Sequence, residues 1–208
     1  MITVASIMFA LFFAIIMRGF QRGSYAKMKT NAVESYTGYL QVQNKDYWDD
    51  KTINNTMAID QAIVDDLSTD DRINAIIPRL ESFALASSGE STKGVAVMGI
   101  DPEKENKMTK VKSFLKEGEF INADDKSILV AAGLASFLGV GINDTLVLFS
   151  SGYHGATAAG LYPIKGILKL PTPEMNRSTV YLAVNEAQEL FSAYDRYTAL
   201  VFDLKDMD

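Results

Sequence analysis

LKEGEFINADDKSILVAAGLASFLGVGINDTLVL, Leu115 to Leu148, holds the alternation that decides the fold. Gly118 closes a highly charged segment, Lys104 to Lys116. Ile128 to Val130 is a short apolar run with the length and composition of a buried strand. Ala131 to Leu138 reads as a short helix, and Gly139 stands where a helix stop is expected. Gly141-Ile142-Asn143-Asp144 is a turn. Thr145 to Phe149 then starts another strand. Strand, helix, turn and strand in such close order predict a mixed α/β arrangement of the α+β class.

The same alternation extends in both directions. Upstream, Ile73 to Ala86 and Lys93 to Ile100 are two strands joined through Ser87-Ser88-Gly89-Glu90 as a hairpin. Pro78 predicts a sheet edge or a bulge at that point. Asp101-Pro102 is suited to starting a helix. Ile59, Ile63 and Leu67 recur every four residues and mark a short amphipathic helix, with Thr56 as the expected N-cap. Asn44 to Asn55 reads as a polar loop. Leu40 and Val42 alternate with Gln41 and Gln43, the period of a half-buried strand.

Downstream, Ser150 to Gly160 reads SSGYHGATAAG, a flexible or irregular loop of small residues with one Tyr and the sole His. Tyr162 to Leu170, Val180 to Ala183 and Tyr197 to Leu204 are strands. Asn185 with Gln188 resembles a capping box opening a helix that buries Ala187, Leu190 and Phe191.

The N-terminal run Ile2 to Met17, ITVASIMFALFFAIIM, carries no charge. Extended to Phe20 it would span roughly 28 Å as a helix, close to a bilayer's hydrocarbon thickness. The favoured reading is a transmembrane helix. A signal peptide would want a positive n-region, and a soluble core helix would need a partner for every face. Gln21 to Tyr36 is mixed polar, with Tyr25, Met28, Ala32 and Tyr36 on one helical stripe, so a stalk continuing the membrane helix is expected. Arg18, Arg22, Lys27 and Lys29 would place that flank in the cytoplasm by charge alone, but with only Met1 on the other side the comparison has no second term.

Composition narrows the function. The chain has 208 residues, a formal charge of -6 and no cysteine. An acidic chain has no basic field for gripping nucleic acid. Thiolate metal sites, disulfides and cysteine nucleophiles are excluded. The glycines around Asn143 lack the GK[ST] ending of a phosphate loop. Asp65, Asp66, Asp70 and Asp71, and likewise Asp124 and Asp125, lack calcium-loop spacing. His154 has Ser150, Ser151 and Tyr153 nearby but no nucleophile elbow. No catalytic residue, cofactor or metal is therefore expected. Ser151, Gly152, Tyr153, His154 and Gly155 are the candidate surface for contact with a partner.

Several segments, taken in order, resemble the extracytoplasmic core domain of MacB-like and FtsX-like ABC transporter permeases. Gly94 to Glu105, GVAVMGIDPEKE, is similar to a strand ending in G-[IV]-D-P. Leu115 to Leu148 is similar to the succession G-x-x-L-A-x-x-L-G-V followed by G-D-T, with Asn143-Asp144-Thr145 where Gly-Asp-Thr is usual. Tyr162 to Leu168, YPIKGIL, and Thr179 to Phe191, TVYLAVNEAQELF, resemble the strand and the closing strand with its helix. The Tyr-His loop lies outside the general pattern.

The resemblance implies a membrane helix over 1–20, a stalk over 21–36, a porter-like part built from 37–100 and 171–208, and a smaller insertion over 101–170. It also implies that the domain faces away from the cytoplasm, on the periplasmic side of the inner membrane, with three further membrane helices beyond Asp208. The implied partners are a cytoplasmic ABC ATPase, separate or fused, a second permease copy or paralogue, membrane lipid, and a periplasmic adaptor or carrier that the Ser150–Gly160 loop could dock. The implied action is mechanical: ATP-driven helix motion passes along the stalk to release or export a lipoprotein, peptide or drug. A ligand-sensing domain on a membrane-anchored signalling protein is the alternative. An anchored hydrolase would require converging carboxylates in a pocket.

Overall fold

The computed structural model describes residues 2–32 and 40–205. Helix α1 (Ile2–Ala32) runs unbroken through Gly19 and Gly23 and is exposed wherever its side chains are described. Ser6–Ser24 is long and apolar enough to cross a membrane, and none of that window is buried in protein. The helix would be about 46 Å long, against about 30 Å of hydrocarbon, so a bilayer-crossing α1 leaves several turns outside. Tyr25, Met28 and Ala32 lie on α1. Tyr36 falls outside the described residues.

Among the described residues, nine strands form one mixed sheet. They are β1 (Leu40–Gln43), β3 (Ile73–Ser88), β4 (Ser91–Ile100), β5 (Leu115–Gly118), β6 (Ile128–Ala131), β7 (Thr145–Ser151), β8 (Thr157–Leu168), β9 (Thr179–Ala183) and β11 (Ala199–Leu204). The order is β1-β11-β3-β4-β9-β6-β8-β5, and β7 bridges β3 and β8. Two short strands, β2 (Met57–Ala58) and β10 (Arg196–Tyr197), pair separately. The α+β class read from the sequence is the class found.

One face of the sheet is apolar and covered. Val95 and Val97 of β4, Leu146 and Leu148 of β7, and Val180 and Leu182 of β9 are buried there. Helices α5 (Ala132–Leu138) and α7 (Val184–Phe191) add Leu134, Leu138, Ala187 and Phe191 to the same cluster. A smaller cluster of Ile76, Leu200 and Phe202 is closed by Ile59, Val64 and Leu67 around helix α3 (Gln61–Ser68). Of the four-residue recurrence seen in the sequence, Ile59 and Leu67 take part, whereas Ile63 is exposed and Val64 packs in its stead.

Several local readings hold and others are corrected. Gly139 has φ 68° and ends α5, a conformation that costs a glycine little. Asp101 caps α4 (Pro102–Thr109) with proline in the first turn. The β3–β4 turn is only Gly89-Glu90, so β3 runs two residues past Ala86.

Pro78 stands at a local sheet edge rather than at a bulge, although β3 itself is an internal strand. It pairs with Leu200 of β11, and pairing with β4 begins only at Arg79, so the sheet has ended on the side where proline stands. Thr56 does not cap α3; the Asp60 carboxylate accepts from Ala62 N–H instead. The expected loop over 44–55 contains helix α2 (Lys45–Asp49), which Asn44 caps.

Asn185 caps nothing. Helix α7 starts one residue earlier behind Ala183, and buried Gln188 donates from Nε2 to the Arg196 carbonyl. Helix α6 (Pro173–Ser178) joins β8 to β9.

Candidate functional site

The segment Ser150 to Gly160 is not an irregular loop. Strand β7 continues through Ser151 and β8 begins at Thr157, in register Ser150↔Ala158 and Ser151↔Thr157. Small residues that look featureless in sequence are strand residues here, because alternate positions such as Ala158 face the core. Only Gly152 to Ala156 turns. Gly152 N–H donates to the Ala156 carbonyl at 2.6 Å, and Ala156 N–H donates to Tyr153 at 3.1 Å. His154 and Gly155 take positive φ, 53° and 80°.

The tip is folded down onto the domain. A Cβ at Gly152 would stand 2.6 Å from the Phe191 carbonyl oxygen, so the backbone reaches the end of α7 only because residue 152 has none. His154 N–H donates to Asn54 Oδ1 at 2.7 Å. The Tyr153 and His154 rings meet edge-on, with centroids 4.1 Å apart. Arg196 lies over the other ring partner: its Cζ is 4.4 Å from the Tyr153 centroid. The same guanidinium is held by Thr56, with Nε donating to Oγ1 at 2.9 Å and Nη2 to the carbonyl at 2.6 Å.

Of the five residues singled out in sequence, Ser151, His154 and Gly155 are exposed, Tyr153 is half-buried and Gly152 is buried. The structure adds Asn54, Thr56 and Arg196. Asn54 is 100 residues from His154 and Arg196 is 140 from Thr56, and no local pattern marks them.

A second polar assembly lies where β3 changes partners. β11 pairs with β3 up to Arg79, and β7 pairs with it only from Leu85. Side chains seal the interval. Glu81 N–H donates to Thr198 Oγ1, Tyr47 OH donates to the Glu81 carbonyl, and Ser150 OH donates to the Phe83 carbonyl. Burial and the nearby Glu81 charge push the Tyr47 phenol up to about 12. Arg79 and Glu105 form a buried ion pair beside this interval. Sequence reading missed it, because a lone Arg in a strand and a Glu in a charged helix carry no pairing signal.

The acidic clusters do not converge. Asp70 pairs with Arg72, and Asp125 with Lys165 at 2.6 Å. No group of three His, Asp or Glu that could hold a metal occurs among the described residues.

Comparison with known proteins is informative at the level of the whole domain. Residues 1–208 match the family described as the MacB-like periplasmic core domain. No curated protein matches. Two solved structures share the fold. One is the extracellular domain of the noncanonic ABC-type transporter YknZ from Gram-positive bacteria, with TM-score 0.56 and 12% identity, covering 74% of this chain and 75% of that one. The other is the periplasmic region of MacB from Actinobacillus actinomycetemcomitans, with TM-score 0.57 and 12% identity, covering 86% and 79%.

Proposed function

The chain belongs to the MacB-like periplasmic core domain family, and from that premise we propose that it is the extracytoplasmic domain of an ABC transporter permease. The observation that carries this reading is the family match over 1–208, which takes in the apolar helix as well as the folded domain. α1 crosses the inner membrane and the sheet domain stands on the outer side. An ATPase, separate or fused, supplies the energy in the cytoplasm, and the permease works with a second copy or a paralogue. The domain itself does no bond chemistry.

Its work is mechanical. α1 is one unbroken helix from the apolar span to Ala32, so a tilt or rotation of the span is carried as far as Ala32 along one element. Tyr25, Met28, Ala32 and Tyr36 form the coupling stripe of that stalk. The porter-like part comprises 37–100 and 171–208, and the inserted part 101–170. The β7–β8 tip, Ser151 to Gly155, is the contact for an adaptor or carrier. It is a docked tip rather than a free arm, so the partner meets exposed Ser151, His154 and Gly155 on a supported surface. The cargo is a lipoprotein, a peptide or a drug already on the outer side.

The test is purification of the intact parent protein from native membranes with mass spectrometry of its companions. A stoichiometric P-loop ATPase, or an ATPase domain in the parent's own mass, is expected. Neither, in detergents that hold known ABC complexes together, would overturn the transporter reading.

A further inference from the structure

Strand β8 is paired along one edge only over its first half. β7 lies beside it from Thr157 to Pro163, and β6 joins it only from Ile164 onward. Ile164 bonds through its N–H to Asp144 and through its carbonyl to Asn143, on the β7 side. By alternation Thr157, Ala159 and Leu161 turn their N–H and C=O groups the other way, where no strand lies among the described residues. An open cleft of about 420 Å³ follows this bare edge. Ala159 and Leu161 line it from the exposed face of β8 and Gly160 and Tyr162 from the covered face. No residue of β7 lines it, so the cleft sits at the edge away from β7. Its far wall is α7, which contributes Glu186 and Glu189.

We propose that this edge takes an extended, lysine- or arginine-bearing segment of a partner polypeptide as an added strand. The backbone supplies the mode. A row of unpaired N–H and C=O groups templates a further strand, and Thr157 to Tyr162 carries neither charge nor proline to blunt it. Charge supplies the partner. Glu186 is half-buried, and no Lys or Arg among the described residues forms an ion pair with it. Glu189 has Lys126 at 3.7 Å, with both side chains largely exposed, a contact that contributes little in water. Burial first, and then Glu186 and Glu189, raise the Tyr162 phenol on the cleft floor, so both carboxylates act on the same space. The two faces of an added strand meet different walls. One set of its side chains lies beside Leu161, 70% exposed, and the other beside the carboxylates, so a segment alternating apolar and basic residues matches both. The formal charge of -6 draws such a segment in from a distance and repels an acidic one. The cleft is a feature of the folded domain, and the inference does not depend on α1 crossing a membrane.

The probe is a fluorescein-labelled hexapeptide alternating valine and lysine, titrated by anisotropy with the full chain in neutral detergent and corrected for empty micelles. Two changes separate backbone from charge. The same peptide N-methylated on every backbone amide keeps its charges but cannot donate to the edge. Glu186→Gln with Glu189→Gln keeps the edge but removes the charges. The expected result is saturable binding that either change weakens ten-fold or more and that added salt weakens as well. The N-methylated peptide needs no altered protein, so it decides the matter even if the double variant fails to fold. No saturable binding overturns the proposal, and so does equal binding of the N-methylated peptide, which marks a simple cation site. Unchanged affinity in a folded double variant places the peptide elsewhere and overturns it too. A chain that sediments as a dimer and becomes monomeric on Ala159→Pro has a second copy on this edge, which also overturns the proposal.

Discussion

Arg79 of β3 grips Glu105 of α4 with two parallel hydrogen bonds, Nε to Oε2 at 2.9 Å and Nη2 to Oε1 at 2.6 Å, and both side chains are almost wholly out of water. The pair ties the helix after the G-I-D-P turn to the strand where β11 and β7 exchange places. Breaking such a pair leaves one buried charge uncompensated, which costs about 3–5 kcal/mol. Glu105→Ala is expected to lose that much in denaturant unfolding. Arg79→Met with Glu105→Leu is expected to recover most of it, because no charge is then stranded. A double variant as unstable as the single one would show that the pair's attraction, not the avoided stranding, holds the site.

Asp125 and Lys165 predict the acid limb. Burial alone would raise the Asp125 carboxyl, but the hydrogen bonds from Lys165 and from Asn122 N–H outweigh it and hold the pKa below its ordinary value. A depressed folded pKa contributes stability that is present above the unfolded value of about 3.9 and is lost as the pH falls through the folded one. Urea midpoints between pH 6 and 3 should fall less steeply for Asp125→Asn than for the parent chain. Parallel curves would contradict the assignment.

The alkaline limb has the opposite sign. Burial, followed by the Glu105 charge, raises the Tyr181 phenol, and burial with Glu186 raises Tyr162. Their contribution is complete below the unfolded value of about 10 and is lost as the pH rises through the raised folded values. Tyr181→Phe should flatten the decline in melting temperature between pH 9 and 11. An unchanged slope would remove Tyr181 from the account.

Much of this architecture was legible in the sequence because burial repeats along it. The alternation in Leu115–Leu148 marks β6, α5 and β7, and Leu67 of the Ile59, Ile63 and Leu67 recurrence lies on the buried side of α3, while Ile63 is exposed. Side chains that act over long separations left no local trace. Asn54 meets His154 across 100 residues, and Arg196 meets Thr56 across 140. Thr56 and Gln188 fit helix-start positions by local pattern, but tertiary contact overrides it, and Arg196 engages both. The Ser150–Gly160 stretch misled for a different reason. Ala158, Ala159 and Gly160 are strand residues, and Gly152 in the turn is required by the nearness of Phe191.

Gly152 therefore offers a local test of the docked tip. Gly152→Val places a Cβ against the Phe191 carbonyl, and overpacking of this kind costs about 1–3 kcal/mol. Amide exchange should accelerate most at His154, Gly155 and Ala156. Asn54→Ala should accelerate exchange at His154, with global stability changed by about 1 kcal/mol at most. Unaltered exchange in both variants would mean that the tip is not held by these contacts.

The central claim is that this domain stands outside the cytoplasm, tethered to the membrane through α1, and labelling from one side of the membrane tests it most directly. This chain has no cysteine, so once any cysteine elsewhere in the parent is replaced, Lys112→Cys is the sole thiol. The intact parent protein is expressed in cells whose outer envelope has been stripped but whose cytoplasmic membrane is sealed, and a membrane-impermeant maleimide is added. The account predicts full labelling before the membrane is opened and no further labelling after. Labelling that appears only when the membrane is permeabilised would place the domain in the cytoplasm and contradict the account.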